Sequence, residues 1–293
     1  MPEYSWKKFL IPSKEDLFKY KNGKITSPKR RERKIMLLGV NVLDLKALTF
    51  LSQVFKKDPY VQEKLKQIII AGFSMVPEDA EFNIFQEKYE DKILEHLVFD
   101  FFIESHGKEN RFFTGSEDGQ RLMDEVGIDK YDNIAYVGYQ KEPEKKEISD
   151  AIVKSKDAIF WKELGGMCIE CGKCSLVCPT CFCYEMFDVS DLKPGTGKRQ
   201  REWSNCFYRE FSEIFGNQRF LKSTSDKIYF WYYHKFVRDF ENFGVPGCVG
   251  CGRCSRTCPV DIKLHETLKK AQAYLSSESK LSDKNKTSIK KDA

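Results

Sequence analysis

No cysteine occurs before Cys168, although the chain of 293 residues contains eleven, so any thiolate chemistry belongs to its second half. Residues 1 to 160 also lack a grouped set of His, Cys and carboxylates, which argues against a metal or catalytic site there. Long apolar runs are absent: stretches such as Ile35 to Leu43 are far too short to span a bilayer, so the chain is expected to be soluble, cytoplasmic and without direct membrane insertion. Nothing in Met1 to Lys8 has the form of a secretory signal, and cytosolic thiols stay reduced, which disfavours a disulfide framework. No Gly-rich dinucleotide fingerprint follows an expected strand. The segment Gly195-Thr196-Gly197-Lys198 lacks the first Gly of a phosphate loop, and Arg199 stands where Ser or Thr belongs. It reads as a flexible basic loop, so no FAD, NAD or nucleotide site is expected.

Charge is uneven. Residues 1 to 34 carry +7 and residues 276 to 293 carry +2, leaving the middle at −4 within a net charge of +5. No basic face with interleaved aromatics accompanies the arm. Nucleic acid is therefore not expected as a partner, and the arm is read as lying on a partner protein or as solvated.

What the second half does contain is one cysteine pattern written twice. Cys168, Cys171, Cys174 and Cys178 precede Pro179, and Cys248, Cys251, Cys254 and Cys258 precede Pro259. Each copy reads Cys-x2-Cys-x2-Cys-x3-Cys-Pro, the run that holds [4Fe–4S] cubanes in bacterial-type ferredoxins, where the cysteine before the proline ligates the other cluster. The expected sets are Cys168, Cys171, Cys174 with Cys258, and Cys248, Cys251, Cys254 with Cys178: two [4Fe–4S] clusters in one folded unit. Gly172 and Gly252 follow the second cysteine of each copy, where a missing Cβ lets backbone N–H groups turn towards sulfur. Ser175 and Ser255 could add hydrogen bonds. Structural zinc also takes four cysteines, but usually as two separated Cys-x2-Cys knuckles.

The first half reads as a small α/β unit. Ile35 to Val40 is a buried-strand run, and Asp44 is placed to cap the following helix. That helix carries the stripe Ala47, Leu48, Leu51, Val54 and Phe55 and stops at Asp58-Pro59. Ile68 to Gly72 reads as a second strand and His96 to Ile103 as a third, which favours a parallel or mixed sheet. The 69 residues between the cysteine copies are rich in aromatics, including Trp203, Phe207, Phe211, Phe215, Phe220, Trp231, Tyr232 and Phe236. They read as core faces of amphipathic helices.

Several segments carry a family resemblance. They are Trp161-Lys162-Glu163-Leu164, Cys178-Pro179-Thr180-Cys181-Phe182-Cys183, Arg201-Glu202-Trp203-Ser204-Asn205-Cys206, His234-Lys235-Phe236 and Cys248-Val249-Gly250-Cys251-Gly252-Arg253-Cys254. The chain resembles the iron–sulfur β subunit of cytosolic NiFe sulfhydrogenases and the related iron–sulfur subunit of anaerobic sulfite reductase. Upstream, Gly39-Val40, Asp44 to Leu48, Asp58-Pro59-Tyr60 and Arg111-Phe112-Phe113 look similar too. Asn41-Val42-Leu43 and Phe73-Ser74-Met75-Val76-Pro77 depart from the family, which carries cysteines there. The resemblance implies a non-catalytic relay that links a flavin-containing, NAD(P)H-reactive subunit to a catalytic hydrogenase or reductase subunit. The alternative is a free-standing iron–sulfur reductase with a substrate site in the N-terminal domain. Cys181, Cys183 and Cys206 remain over, as small buried residues or as a further metal or redox site.

The expected fold class is α+β. A basic arm (1–34) precedes a cysteine-free α/β docking domain (35–160). A ferredoxin-like dicluster domain (161–275) follows, with a long helical insertion at 184–245, and then a flexible polar tail (276–293).

Overall fold

The computed structural model describes residues 5–27, 34–74, 91–106 and 109–289. Met75-Val76-Pro77, parts of the basic arm and the end of the tail lie outside the described residues. The chain opens with a short helix, α1 (Lys7–Leu10), and a hairpin, β1 (Lys14–Lys21) and β2 (Lys24–Thr26). The hairpin turns at Asn22-Gly23, both with positive φ (48° and 76°), the backbone that a two-residue hairpin turn demands. Next come β3 (Ile35–Asn41), α2 (Val42–Val54), α3 (Pro59–Lys66) and β4 (Ile68–Phe73). The unit is completed by β5 (Phe101–His106), β6 (Glu109–Thr114), α4 (Glu117–Glu125) and β7 (Asp132–Asn133). The sheet order is β3-β4-β5-β6-β7. It is parallel except for the antiparallel pairing of β5 with β6, so the expected mixed sheet is present.

Helix α2 shows why this unit exists. Leu45, Leu48, Phe50, Leu51 and Phe55 join the main core with Leu37, Val40 and Ile70, and each such side chain taken fully out of water stabilises by about 1.5–3 kcal/mol. Its cap is Asn41, not Asp44: the Asn41 side chain accepts the Asp44 backbone N–H at 3.0 Å. Asp58 instead caps α3, accepting from Tyr60 and Val61 at 2.9 and 3.0 Å with Pro59 at the first helical position. The third strand begins at Phe101 rather than His96, because Asp91–His96 forms a 3-10 turn.

The second half starts with α5 (Lys146–Lys154), α6 (Ile159–Met167) and α7 (Lys173–Val177). A hairpin follows, β8 (Tyr184–Ser190) and β9 (Thr196–Trp203). After α8 (Arg209–Ser212), a single long rod runs through α9 (Thr224–Tyr233), a π-helical turn at His234–Arg238, and α10 (Asp239–Phe243). The chain closes with α11 (Arg253–Arg256) and α12 (Leu264–Ile289). A second core gathers Ile148, Ala151, Ile152, Trp161, Trp231, Phe236 and Leu268.

Three expected boundaries move. The N-terminal segment is not a separate arm: β1 pairs along its length with β9, giving a four-stranded antiparallel sheet β2-β1-β9-β8. Arg201 on β9 is almost fully buried and pairs with Glu15 of β1 and with Asp58 at 2.5 Å, which rivets the two halves together. Second, the region 184–245 is not wholly helical, since it opens with the hairpin β8–β9, and Gly195 to Lys198 is the hairpin turn and start of β9 rather than a loose loop. Gly195 has φ +72°, and a Cβ on Gly197 would meet the Val189 carbonyl at 2.6 Å. Third, α5 belongs to the second core, and residues 276–289 continue α12 instead of forming an irregular tail. The aromatics of this region are not all core either, since Phe215 and Phe220 are exposed.

Candidate functional site

The two cysteine copies fold alike because their glycines fall at the same corners. Gly172 and Gly252 precede α7 and α11 with φ of 70° and 69°. Two residues upstream, Glu170 and Gly250 are also left-handed, at 54° and 70°. Such a backbone costs an L-residue about 1–2 kcal/mol, and Glu170 is held in it by Lys227 at 2.6 Å and Thr224 at 2.7 Å. Asn205 donates to the Gly172 carbonyl at 2.7 Å, and a Cβ at position 172 would collide with its amide nitrogen. Gly172→Ala is therefore expected to labilise iron at the first loop and to lower the chain's stability by roughly 1–2 kcal/mol, measurable by chelator challenge and thermal denaturation.

The loops frame two cavities. The first, about 600 Å³, is lined by Cys168, Cys171, Cys174 and Cys258, with Trp231, Tyr232 and Leu264 as apolar wall. The second, about 290 Å³, is lined by Cys178, Cys248 and Cys251 with Lys235 and Val249. Cys254 borders both. Thus Cys258 lies with the first copy and Cys178 with the second. Backbone N–H groups point at sulfur as a thiolate requires: Glu170 donates to Cys168 at 3.4 Å and Ile262 to Cys258 at 3.3 Å. Burial pushes the Cys248 thiol up to about 12 and Cys174 higher still, so these groups stay protonated until a metal displaces the proton. Cys178 is the exception. A hydrogen bond from Cys181, with the charges of Lys235 and Lys7 nearby, holds it well below an ordinary thiol. Lys235 donates to Cys178 Sγ at 3.2 Å.

Among the described residues no three His, Cys, Asp or Glu side chains converge closely enough to hold a single ion. The spacing Cys-x2-Cys-x2-Cys-x3-Cys-Pro, rather than two separated Cys-x2-Cys knuckles, suits a cubane better than one zinc. The donor set, the cavities and the N–H groups aimed at sulfur all fit iron–sulfur clusters.

Residues 167–262 match the family model of the 4Fe-4S dicluster domain. Sulfhydrogenase 2 subunit beta of Pyrococcus furiosus is 27% identical over 272 residues, covering 88% of this chain and 79% of the relative. The chain carries a 4Fe-4S dicluster domain and is similar over most of its length to a sulfhydrogenase β subunit. No solved structure matches it.

The dicluster protein has site residues that motif reading did not assign. Asp44, free of capping duty, grips Arg253 with both oxygens at 2.7 and 2.8 Å. Both side chains are 1% exposed, and Arg253 sits between Cys251 and Cys254. Leu43 and Ala47 pack on Val249 and Cys251 beside this pair. Ser175 accepts the indole N–H of Trp231 at 3.0 Å, and Ser255 accepts the Leu264 backbone N–H at 3.0 Å, so both serines brace the walls. Arg253 and Lys235 lie inside segments that resembled the family, but a resemblance gives no partner. Cys181, Cys183 and Cys206 come together at a separate cavity with His234, Lys235 and Asp239.

Proposed function

We propose that this iron–sulfur electron-transfer subunit relays electrons from a flavin-containing, NAD(P)H-reactive subunit to a catalytic subunit of the hydrogenase, sulfur reductase or sulfite reductase type, or in the reverse direction, within a cytoplasmic complex. The observation that carries the relay is the adjacency of the two cysteine cavities, which share Trp231, Cys254 and Leu264 as common wall. In this reading Cys168, Cys171, Cys174 and Cys258 hold one [4Fe–4S] cluster and Cys248, Cys251, Cys254 and Cys178 hold the other, each a one-electron carrier. The protein's own contribution is to bury the second loop under α2, to fix the thiolates with N–H groups, and to set Lys235 against Cys178. A buried cation next to a cluster favours its reduced, more negative state, one of the levers on potential.

Exposed Met167 and Ile169 flank Cys168, which supports partner contact at the first loop. The relative's name describes it as one subunit of a sulfhydrogenase, and that too favours assembly with others. Among the described residues no helix is long and apolar enough to cross a membrane. Because residues 5–27 form part of the sheet shared with β8 and β9, deleting residues 1 to 34 would strip β1 from β9 and is not a clean test of docking. Co-purification of the native complex with identification of its neighbours is the direct one.

The eight motif cysteines should account for about eight iron and eight sulfide per chain after anaerobic reconstitution, and dithionite should bleach the visible absorption. The isolated chain should not oxidise NADH or NADPH, since the reaction needs a hydride acceptor. Turnover with either nucleotide in a flavoprotein-free preparation would make it a free-standing reductase instead.

A further inference from the structure

The three cysteines outside the motifs line one pocket. Cys181 and Cys183 come from the loop after Pro179, Cys206 from the segment after β9, and His234 from the π-helical turn of the long rod. The pocket is similar in size to the one beside Cys178, Cys248 and Cys251. Three thiols and an imidazole form a complete set of soft donors, brought together from segments distant in sequence. π-helical turns of this kind are frequent at functional sites, because the wider turn re-aims side chains.

Two further observations point to an occupant. Asp239 borders the cavity at 2% exposure, and its Oδ1 has no hydrogen-bond partner. His234 Nε2 stands 3.5 Å from that oxygen. A ligating histidine commonly turns its remaining N–H to a carboxylate in this way, leaving the other ring nitrogen for metal. Charge points the same way. Lys7 and Lys235 are each 3% exposed, and among the described residues neither forms an ion pair with a carboxylate. They donate instead to carbonyls of Ser175, Cys181 and Gly247, to Thr180 Oγ1 and to Cys178 Sγ. Lys235 already faces the Cys178 sulfur of the second cluster, but Lys7, which donates to the Cys181 carbonyl, faces no carboxylate; a buried ammonium without a counter-ion is costly, and a thiolate-bound iron–sulfur core is anionic.

We propose that Cys181, Cys183 and Cys206, completed by His234, hold a third [4Fe–4S] cluster. Thr180, Trp231 and Lys235 line both this cavity and the second one, so the third centre extends the relay. Phe182, between Cys181 and Cys183, packs on Phe50 and Phe55 of the N-terminal unit at 6.2 and 6.0 Å. The relay thereby gains a branch towards that unit.

The test is anaerobic reconstitution of the full chain with iron and sulfide, expected to yield about twelve of each per chain. Cys206→Ser and Cys183→Ser should each bring this to about eight while leaving the spin-coupled signal of the two reduced motif clusters intact. Using both guards against a folding defect in either, and circular dichroism identifies such a defect. His234→Cys should keep the iron and lower the midpoint potential of one cluster, because imidazole ligation raises it; three unmoved potentials would remove His234 from the ligand set. A wild-type chain with about eight iron, or variants that keep all of theirs, would overturn the third cluster and leave the dicluster reading standing. A wild-type chain with about four iron, or with zinc, would instead overturn the dicluster reading.

Discussion

Cys178→Ala is expected to cost the chain about four iron and four sulfide from the cluster beside the distant loop at Cys248, and to spare the one at Cys168 ten residues upstream. Crossed ligation makes this testable by pairs of substitutions. Cys178→Ala combined with Cys248→Ala should lose no more iron than either alone, because both strike one cluster; combined with Cys168→Ala the losses should add. In the reduced state, electron paramagnetic resonance should change from a spin-coupled pattern to that of an isolated cluster. The reverse pairing, additive with Cys248 and non-additive with Cys168, would show that each motif serves its own cluster. The physical basis is placement. Cys178 lies on the wall of the cavity that also holds Cys248 and Cys251, with Lys235 donating to its sulfur at 3.2 Å. Cys258 lies with Cys168, Cys171 and Cys174.

Breaking the buried pair of Asp44 and Arg253 should be the most destabilising change outside the cysteines. Removal of one partner leaves a charge buried without compensation, typically a loss of 3–5 kcal/mol. Asp44→Ala or Arg253→Ala should therefore lower the thermal midpoint by roughly 6 to 20 °C for a chain of this size. The second cluster should also become labile, because Arg253 lies within its loop and α2 covers it. Replacing both together, Asp44→Leu with Arg253→Met, should recover most of the stability, since an apolar pair of similar volume pays no desolvation penalty. If the double variant is as unstable as the singles, the contribution is packing at Leu43, Ala47, Val249 and Cys251 rather than the ion pair.

The legible parts of the chain were those where one local rule decides. The strand at Ile35 and the strand at Ile68 each follow from a short apolar run. The stripe along α2 marked the face towards the main core, but α2 is buried on nearly all sides. Its second face, with Leu43, Asp44 and Ala47, is apolar or charged for the sake of a loop two hundred residues away. The Asn22-Gly23 turn was a strong hairpin signal inside a stretch whose lysines drew the reading towards a solvated arm. Lys14, Lys19 and Lys21 lie on β1, and Lys7, in α1, is buried among backbone carbonyls.

Sequence alone determined the cofactor chemistry of the two motifs. Three cysteines on one tight turn, a glycine corner and a terminal proline are local geometry, and local geometry survives without knowledge of the fold. It also determined where thiol chemistry is absent, because no Cys precedes Cys168. Only the tertiary structure decided which residues surround those cysteines from outside. Asn205 on Gly172, Asp44 on Arg253, Lys235 on Cys178, and the meeting of Cys181, Cys183 and Cys206 with His234 all join segments far apart in the chain. Contacts of that range are set by how helices and sheets pack, and buried charge and thiol groups acquire meaning only from the neighbours that packing gives them.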